Sequence, residues 1–323
     1  MGPQRTFASG SWSRKSRVTR RERFLAEMDA VIPWPRLLAI IAPHYPKAGK
    51  GRHPVGLDRM LRIYFLQQWF NLSDPAAEDA LYDSDAMRRF AGVDLGDDII
   101  PDETTILRFR HLLEAHELTA ALFAAIGGLL EEKHLWLKTG TIVDATIIAA
   151  PPSTKNATKT RDPEMHQTRK GQQWHFGMKL HIGTDLRGTV HHVIATNANT
   201  ADITQLPALL TGRERDLYGD KAYWKADDRV QWRLAGGRYR VNQRGATGAP
   251  LTDHERWINQ CRSRRRARGE HPFLVVKRLW GFTMVRYRGL AKNLTRAFTM
   301  FGLANLYLLR RRLLPPAFVP CLG

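Results

Sequence analysis

The chain has 323 residues, a formal net charge of +19 and a pI near 10.4. An ordinary apolar share, 43% hydrophobic residues, excludes wholesale disorder, and the length leaves room for more than one domain. So strong a positive balance calls for a polyanionic partner, with nucleic acid ahead of a membrane surface.

Composition divides the chain into residues 1–52, 53–135, 136–312 and 313–323. The first region is basic and broken by Pro and Gly. It reads as an arm that contacts DNA phosphates, with short helices over residues 21–30 and 34–41. In the second, Leu57, Leu61, Tyr64, Phe65 and Trp69 recur at helical spacing. Asp74 as N-cap and Pro75 at the first helical position predict a second helix running to Phe90 and stopping near Gly92. A third helix begins at Pro101 to Thr104, and a fourth covers residues 118–135. Arg88, Arg89, Arg108 and Arg110 on exposed faces suit a helical DNA-binding module; a plain helical bundle with solvated charges fits the same pattern.

From Gly140 the period changes. Residues 141–148 are β-branched and apolar around Asp144, a buried strand bounded by Gly140 and Pro151-Pro152. Residues 151–172 are polar and basic and read as a loop. Residues 174–182 and 190–195, joined by a turn at Asp185 to Gly188, form a hairpin. A helix over 203–210, a fourth strand from Asp216 ending at Asp220, a helix over 224–234 and a fifth strand over 238–241 follow. From His254 onward the chain is helical and very basic. Its most apolar run, residues 294–309, holds Arg296 and Asn305 and falls short of the ~20 apolar residues a bilayer span needs. It is a core helix, and no membrane partner is expected. Cys261 and Cys321 make neither a metal spacing nor a disulfide framework, which fits a reducing cytoplasm.

The chemistry rests on three acids. A carboxylate inside a β-branched run, Asp144, is costly to bury unless it has a task. An acid at a strand's carboxyl end, Asp220, projects into the crevice where open α/β sheets bind ligands. Glu270 belongs to a helix packed on the sheet. This order of elements resembles the ribonuclease-H-like plan: an α/β mixed sheet flanked by helices, preceded here by an all-helical domain. Three such acids suit two Mg²⁺ (or Mn²⁺) ions ~3.5–4 Å apart, with Asp144 bridging them. At ~100° per residue, Glu270 lies ~40° and Lys277 ~20° around the helix from Arg266, so the three share a face that offers a metal ligand, Glu270, flanked by two phosphate-binding cations, Arg266 and Lys277. Pro272 either kinks this helix or places its start near Gly269, in which case Glu270 and Lys277 alone align. Arg262, Arg264, Arg265, Arg266 and Arg268 read as DNA-backbone contacts, or as a solvated basic face. Trp174 stacks on a base or packs on the sheet. His175, His181, His191 and His192 lack a zinc spacing and are ordinary strand residues.

At these residues the sequence resembles the DDE transposases of the insertion-sequence-five type, within the insertion-sequence-four-like superfamily. Val143-Asp144-Ala145-Thr146 is similar to the first catalytic block. Asn197 to Asp202 and Tyr218-Gly219-Asp220-Lys221-Ala222-Tyr223 are similar to the second, and Arg266, Glu270-His271-Pro272-Phe273 and Lys277-Arg278 to the third. Tyr64 to Trp69, Pro101 to Arg110 and Arg286 to Asn293 resemble the flanking blocks, and Ser263 stands where the third block carries Tyr. The resemblance implies an enzyme in the bacterial cytoplasm at the nucleoid, acting on double-stranded DNA as a homodimer that pairs the element's two ends. It would bind terminal inverted repeats, cleave them and join the freed ends to target DNA through Asp144, Asp220 and Glu270. A ribonuclease-H-like nuclease that cuts without joining, and a silent transposase-derived DNA-binding protein, are the rival readings.

Overall fold

A computed structural model describes residues 17–49, 53–94, 96, 98–155, 159–246 and 248–315. Residues 1–16 and 50–52 of the expected basic arm and 316–323 of the C-terminal tail lie outside these residues. The chain divides into two compact units, Met1–Ala121 with Leu306–Gly323, and Leu122–Asn305.

The first unit is helical. Thr19 and Glu22 form a capping box that starts α1 (Arg20–Val31), and Pro35 lies in the first turn of α2 (Trp34–Ile41). The core is centred on α3 (Leu57–Phe70), which buries Leu61, Tyr64, Phe65 and Trp69 as the periodicity predicts. The next helix departs from expectation twice. Ser73, not Asp74, is its N-cap, its hydroxyl accepting from the Ala76 N–H, so α4 spans Asp74–Asp83 with Pro75 in its first turn. It stops at Ser84, whose extended backbone (φ −108°, ψ 104°) separates it from α5 (Asp85–Ala91). Asp102 caps α6 (Glu103–Ala115) by accepting from the Thr105 N–H. Of the four arginines expected on exposed faces, Arg110 is buried, paired with Asp74 at 3.0 Å and Glu114 at 2.9 Å. Arg88 is turned onto the carbonyls of Leu81 and Tyr82, while Arg89 and Arg108 are exposed. Arg110 is buried because it lies within the apolar face of α6, flanked by Ile106, Phe109 and Leu113, with Asp74 and Glu114 neutralising its charge.

In the second unit, after α7 (Leu118–Glu132), six strands form one mixed sheet. They are β1 (Gly140–Ala149), β2 (His166–Lys170), β3 (Gln173–Asp185), β4 (Val190–Asn197), β5 (Asp216–Tyr218) and β6 (Arg238–Tyr239). The order is β2-β3-β1-β5-β6, with β4 also paired to β3. β1 is central: antiparallel to β3 (Asp144 opposite Ile182) and parallel to β5 from Gly140 opposite Asp216 to Ile142 opposite Tyr218. The fold is thus α/β and ribonuclease-H-like, with an N-terminal helical region, as the element order implies.

Three elements differ from the sequence expectation. Residues 166–170, read as loop, pair with β3 as β2; both their faces are largely exposed, so no apolar alternation marked them. This makes the strand before Asp220 the fifth in chain order. The helix expected after Ile203 is a 3-10 segment, Asp202–Leu209, since Pro207 within it has no N–H to donate. After α8 (Ala226–Leu234), the last third is not one helix. It runs as α9 (Asp253–Arg266), a 3-10 turn (Ala267–Gly269), α10 (Glu270–Phe273), a wide π turn (Leu274–Leu279), an irregular stretch, and α11 (Leu290–Leu313). A separate helical segment begins at Glu270 with Gly269 as its N-cap, the second of the two outcomes expected from Pro272. The helical turn tightens before it, and the Arg268 carbonyl, which Pro272 cannot engage, lies against Gly188 (φ +91°) in the hairpin turn, where a Cβ would approach it to 2.5 Å.

Candidate active site

The site exists because β5 is short. It covers only residues 140–142 of β1, so that edge of β1 is open from Val143 until Met284 bridges Ala149. Asp144 is the second residue past this coverage. Even-numbered residues of β1 face the Glu270 segment: Asp144 meets Arg266 and Thr146 meets Lys277. On the other face Val143 packs with Leu206, Leu209, Leu217 and Tyr223. Gly219 then lets the chain leave β5 close to β1, a Cβ there lying 3.1 Å from Val143 Cγ2. Asp220 follows, its carboxylate accepting from the Ala222 N–H at 2.8 Å. Glu270 opens α10 on the facing helix, half-exposed.

The three expected acids line one cleft, together with Ala145, Thr146, Ile147, Thr168, Arg169, Lys170, Lys179, Asp202, Arg266 and Phe273. Arg266 lies between two of them, Nη2 2.9 Å from Glu270 Oε1 and Nη1 3.5 Å from Asp144 Oδ2. Burial pushes the Asp144 carboxyl up to about 6, against the Arg266 charge and the Ala145 N–H, which favour its ionised form; the charges of Asp220 and Glu270 add to the upward push. Among the described residues no group of three His, Cys, Asp or Glu is placed to hold one metal ion as the side chains stand, and Arg266 supplies the positive charge between Asp144 and Glu270. The donor set nonetheless fits a hard divalent cation: all carboxylate, from three elements lining one cleft.

The other expected residues are dispersed. Lys277 shares the helix face but does not line the cleft. Its ammonium donates to Thr146 Oγ1 at 3.0 Å and to the Ile147 carbonyl at 2.9 Å, and burial lowers its pKa. Arg262 donates to the Val241 carbonyl at 2.7 Å and is half-buried. Arg264, Arg265 and Arg268 are exposed, Arg268 touching the Leu186 carbonyl at 3.2 Å. Ser263, at the position where the resemblance expects Tyr, accepts from Asn242 at 2.9 Å. Trp174 is 68% exposed and does not pack on the sheet core. Two further cleft residues, Lys179 and Asp202, had no site role in the sequence reading, although Asp202 ends the block similar to the second catalytic one. Asp202 enters the cleft from the start of the 3-10 segment, held by Lys179 at 2.9 Å, whose ammonium also donates to the Thr200 carbonyl. An acid beside a turn and a lysine in a polar-apolar strand carry no local mark of that meeting.

A mixed sheet with β1 at its centre and acids gathered at the open end of a short parallel neighbour defines a ribonuclease-H-like catalytic domain. The Transposase DDE domain family model matches residues 135–306, more than half of the chain, and the Transposase domain (DUF772) model matches residues 12–112. The chain belongs to the DDE transposase family, whose members bind DNA and cut it with divalent metals. No solved structure matches it. Among the described residues no single helix is long and apolar enough to cross a membrane.

Proposed function

We propose that this transposase is of the insertion-sequence-five type and both cleaves the ends of its element and joins them to target DNA. The observation that carries the reading is that Asp144, Asp220 and Glu270, from three separate elements, line one cleft with Arg266 among them. These three carboxylates would hold two Mg²⁺ or Mn²⁺ ions, which when bound make a water nucleophilic near neutral pH and neutralise the leaving oxygen. Arg266, already within reach of two of the carboxylates, turns to the substrate phosphate once they are otherwise neutralised. Lys277 fastens the Glu270 segment to β1 two to three residues past Asp144, keeping two walls of the cleft in register. Water attacks the end phosphorus, a new P–O bond forms, the P–O3′ bond breaks, and the departing oxygen takes a proton to become a 3′-hydroxyl. That hydroxyl then attacks a target phosphorus in the same way and loses its proton. Arg264, Arg265, Arg268 and Trp174 contact the DNA backbone outside the cleft. The helical unit and the basic arm bind the terminal inverted repeats, two copies of the chain pairing two ends in the cytoplasm at the nucleoid.

The test is a cleavage and strand-transfer assay on duplexes from the element's ends, with Mn²⁺ or Mg²⁺. Asp144→Asn is expected to abolish cleavage and leave DNA binding intact. Cleavage that survives this change refutes the triad. Pre-cleaved ends that are never joined by the wild-type protein point to a plain nuclease.

A further inference from the structure

The cleft has a wall that the three acids do not require. β2 and the first residues of β3 form a ribbon, paired from His166 opposite Gly177 to Lys170 opposite Gln173 and closed through Gly171 (φ +62°). β1 pairs with β3 only as far as Gly177, and β4 only as far as Met178, so the ribbon runs past both neighbours. A two-stranded ribbon is marginal in water by itself, and this one, mostly exposed on β2, contributes little to the core. Its root is fastened instead. Met165 is buried, and the Arg161 guanidinium lies 5.5 Å from the centre of the Phe176 ring. Asp162 accepts from the Gly289 N–H at 2.7 Å and Glu164 from that of Leu290, so both acids of this segment serve the start of α11.

From Met165 to Thr184 there is no further acid. Arg169 and Lys170 are both exposed, and with Thr168 they line the cleft that holds Asp144, Asp220 and Glu270. Among the described residues neither pairs with a carboxylate; Arg169 donates Nε to the Gly171 carbonyl at the turn. Trp174 stands directly opposite Arg169 in the register, hence on the same face of the ribbon, and is 68% exposed. A cationic, acid-free wall facing a wall of carboxylates suits one kind of occupant. Its flanking negative charges must be neutralised while its reacting centre meets the acids, as in a phosphodiester chain.

We propose that the β2–β3 ribbon is a DNA-backbone grip. Arg169 and Lys170 hold phosphates beside the scissile one, and Trp174 packs against the same stretch of duplex. The inference rests on the cleft's being the cleavage site. The experiment uses the full-length protein, a fluorescent random-sequence duplex titrated across a series of KCl concentrations, and Mn²⁺ binding followed calorimetrically. Because backbone contacts ignore sequence, the random duplex suffices. Arg169→Ala with Lys170→Ala is expected to lower the slope of log affinity on log salt by about two, roughly one per lost phosphate contact. Trp174→Ala is expected to weaken binding about tenfold. Mn²⁺ binding and the melting temperature stay as in the wild type, and the swap Arg169→Lys with Lys170→Arg restores the slope. A double variant with the wild-type slope and affinity overturns the grip, and so does one that loses Mn²⁺ binding along with DNA, which would make the ribbon part of the cleft's fold. The two readings fail separately: cleavage by Asp144→Asn defeats the triad and leaves the ribbon's salt slope untouched.

Discussion

Gly269 immediately precedes Glu270 and has ordinary helical backbone angles (φ −67°, ψ −17°), so its requirement for glycine is purely steric. A Cβ built there would lie 2.8 Å from Ile142 Cγ2 and 3.5 Å from Ile142 Cβ. Ile142 cannot yield. It is fully buried in β1, paired with Thr184 on one side and Tyr218 on the other, and its branched side chain is stiff. Carbon atoms rest about 3.5–4.0 Å apart, so Gly269→Ala must move the helical segment off the sheet by roughly 1 Å. Overpacking of this kind costs about 1–3 kcal/mol. For a domain of this size that is about 2–4 °C in melting temperature per kcal/mol. The larger effect is on chemistry, because Glu270 and Arg266 move with the segment while Asp144 stays on β1. A misplacement of about 1 Å costs on the order of 100-fold in rate. Single-turnover end cleavage and a thermal melt measure the two effects. Ile142→Ala in the same chain removes the obstructing methyl, so the double variant is expected to lose less than the sum of the singles. Gly269→Ala that melts and cleaves like the wild type refutes the reasoning.

Arg110→Ala strands Asp74 and Glu114 without their buried partner and is expected to cost about 3–5 kcal/mol, read from the urea midpoint. Burial, then the neighbouring His192 charge, pulls His191 down to about 4, whereas an unfolded histidine takes its proton near ~6.5. Between these values the unfolded chain binds the proton and the native chain does not. Stability is therefore full above ~6.5 and falls toward pH 4 by up to about 1.4 kcal/mol per pH unit, and His191→Gln should flatten that slope in urea titrations across the range. Lys277→Met is expected to lower the melting temperature and the cleavage rate while leaving the salt dependence of DNA binding unchanged, because its ammonium is engaged by β1; a slope reduced by about one would assign it to a phosphate instead.

What could be read along the chain was whatever depends on neighbours in sequence. The β-branched run around Asp144 marks a buried strand, and β1 is that strand, buried over residues 140–143 and half-buried over 144–147 where the cleft opens. The helical period of Leu57 to Trp69 marks a core helix, and α3 is fully packed. The spacing of Arg266 and Glu270 put them on one helix face, where they form an ion pair. Local signals also misled where two candidates stood side by side: Ser73 and Asp74 both cap well, and only the backbone at Ser73 decides between them. What tertiary structure alone decided was who meets whom. Arg110 looks like a surface charge until Asp74 approaches from 36 positions away, and β2 is recognisable only once it pairs with β3. Lys179 and Asp202 meet 23 positions apart, and Lys277 reaches β1 across 130. The cleft itself follows from a length, the three residues of β5 against the ten of β1. An open strand edge is a difference between two paired elements, and no window of sequence contains both.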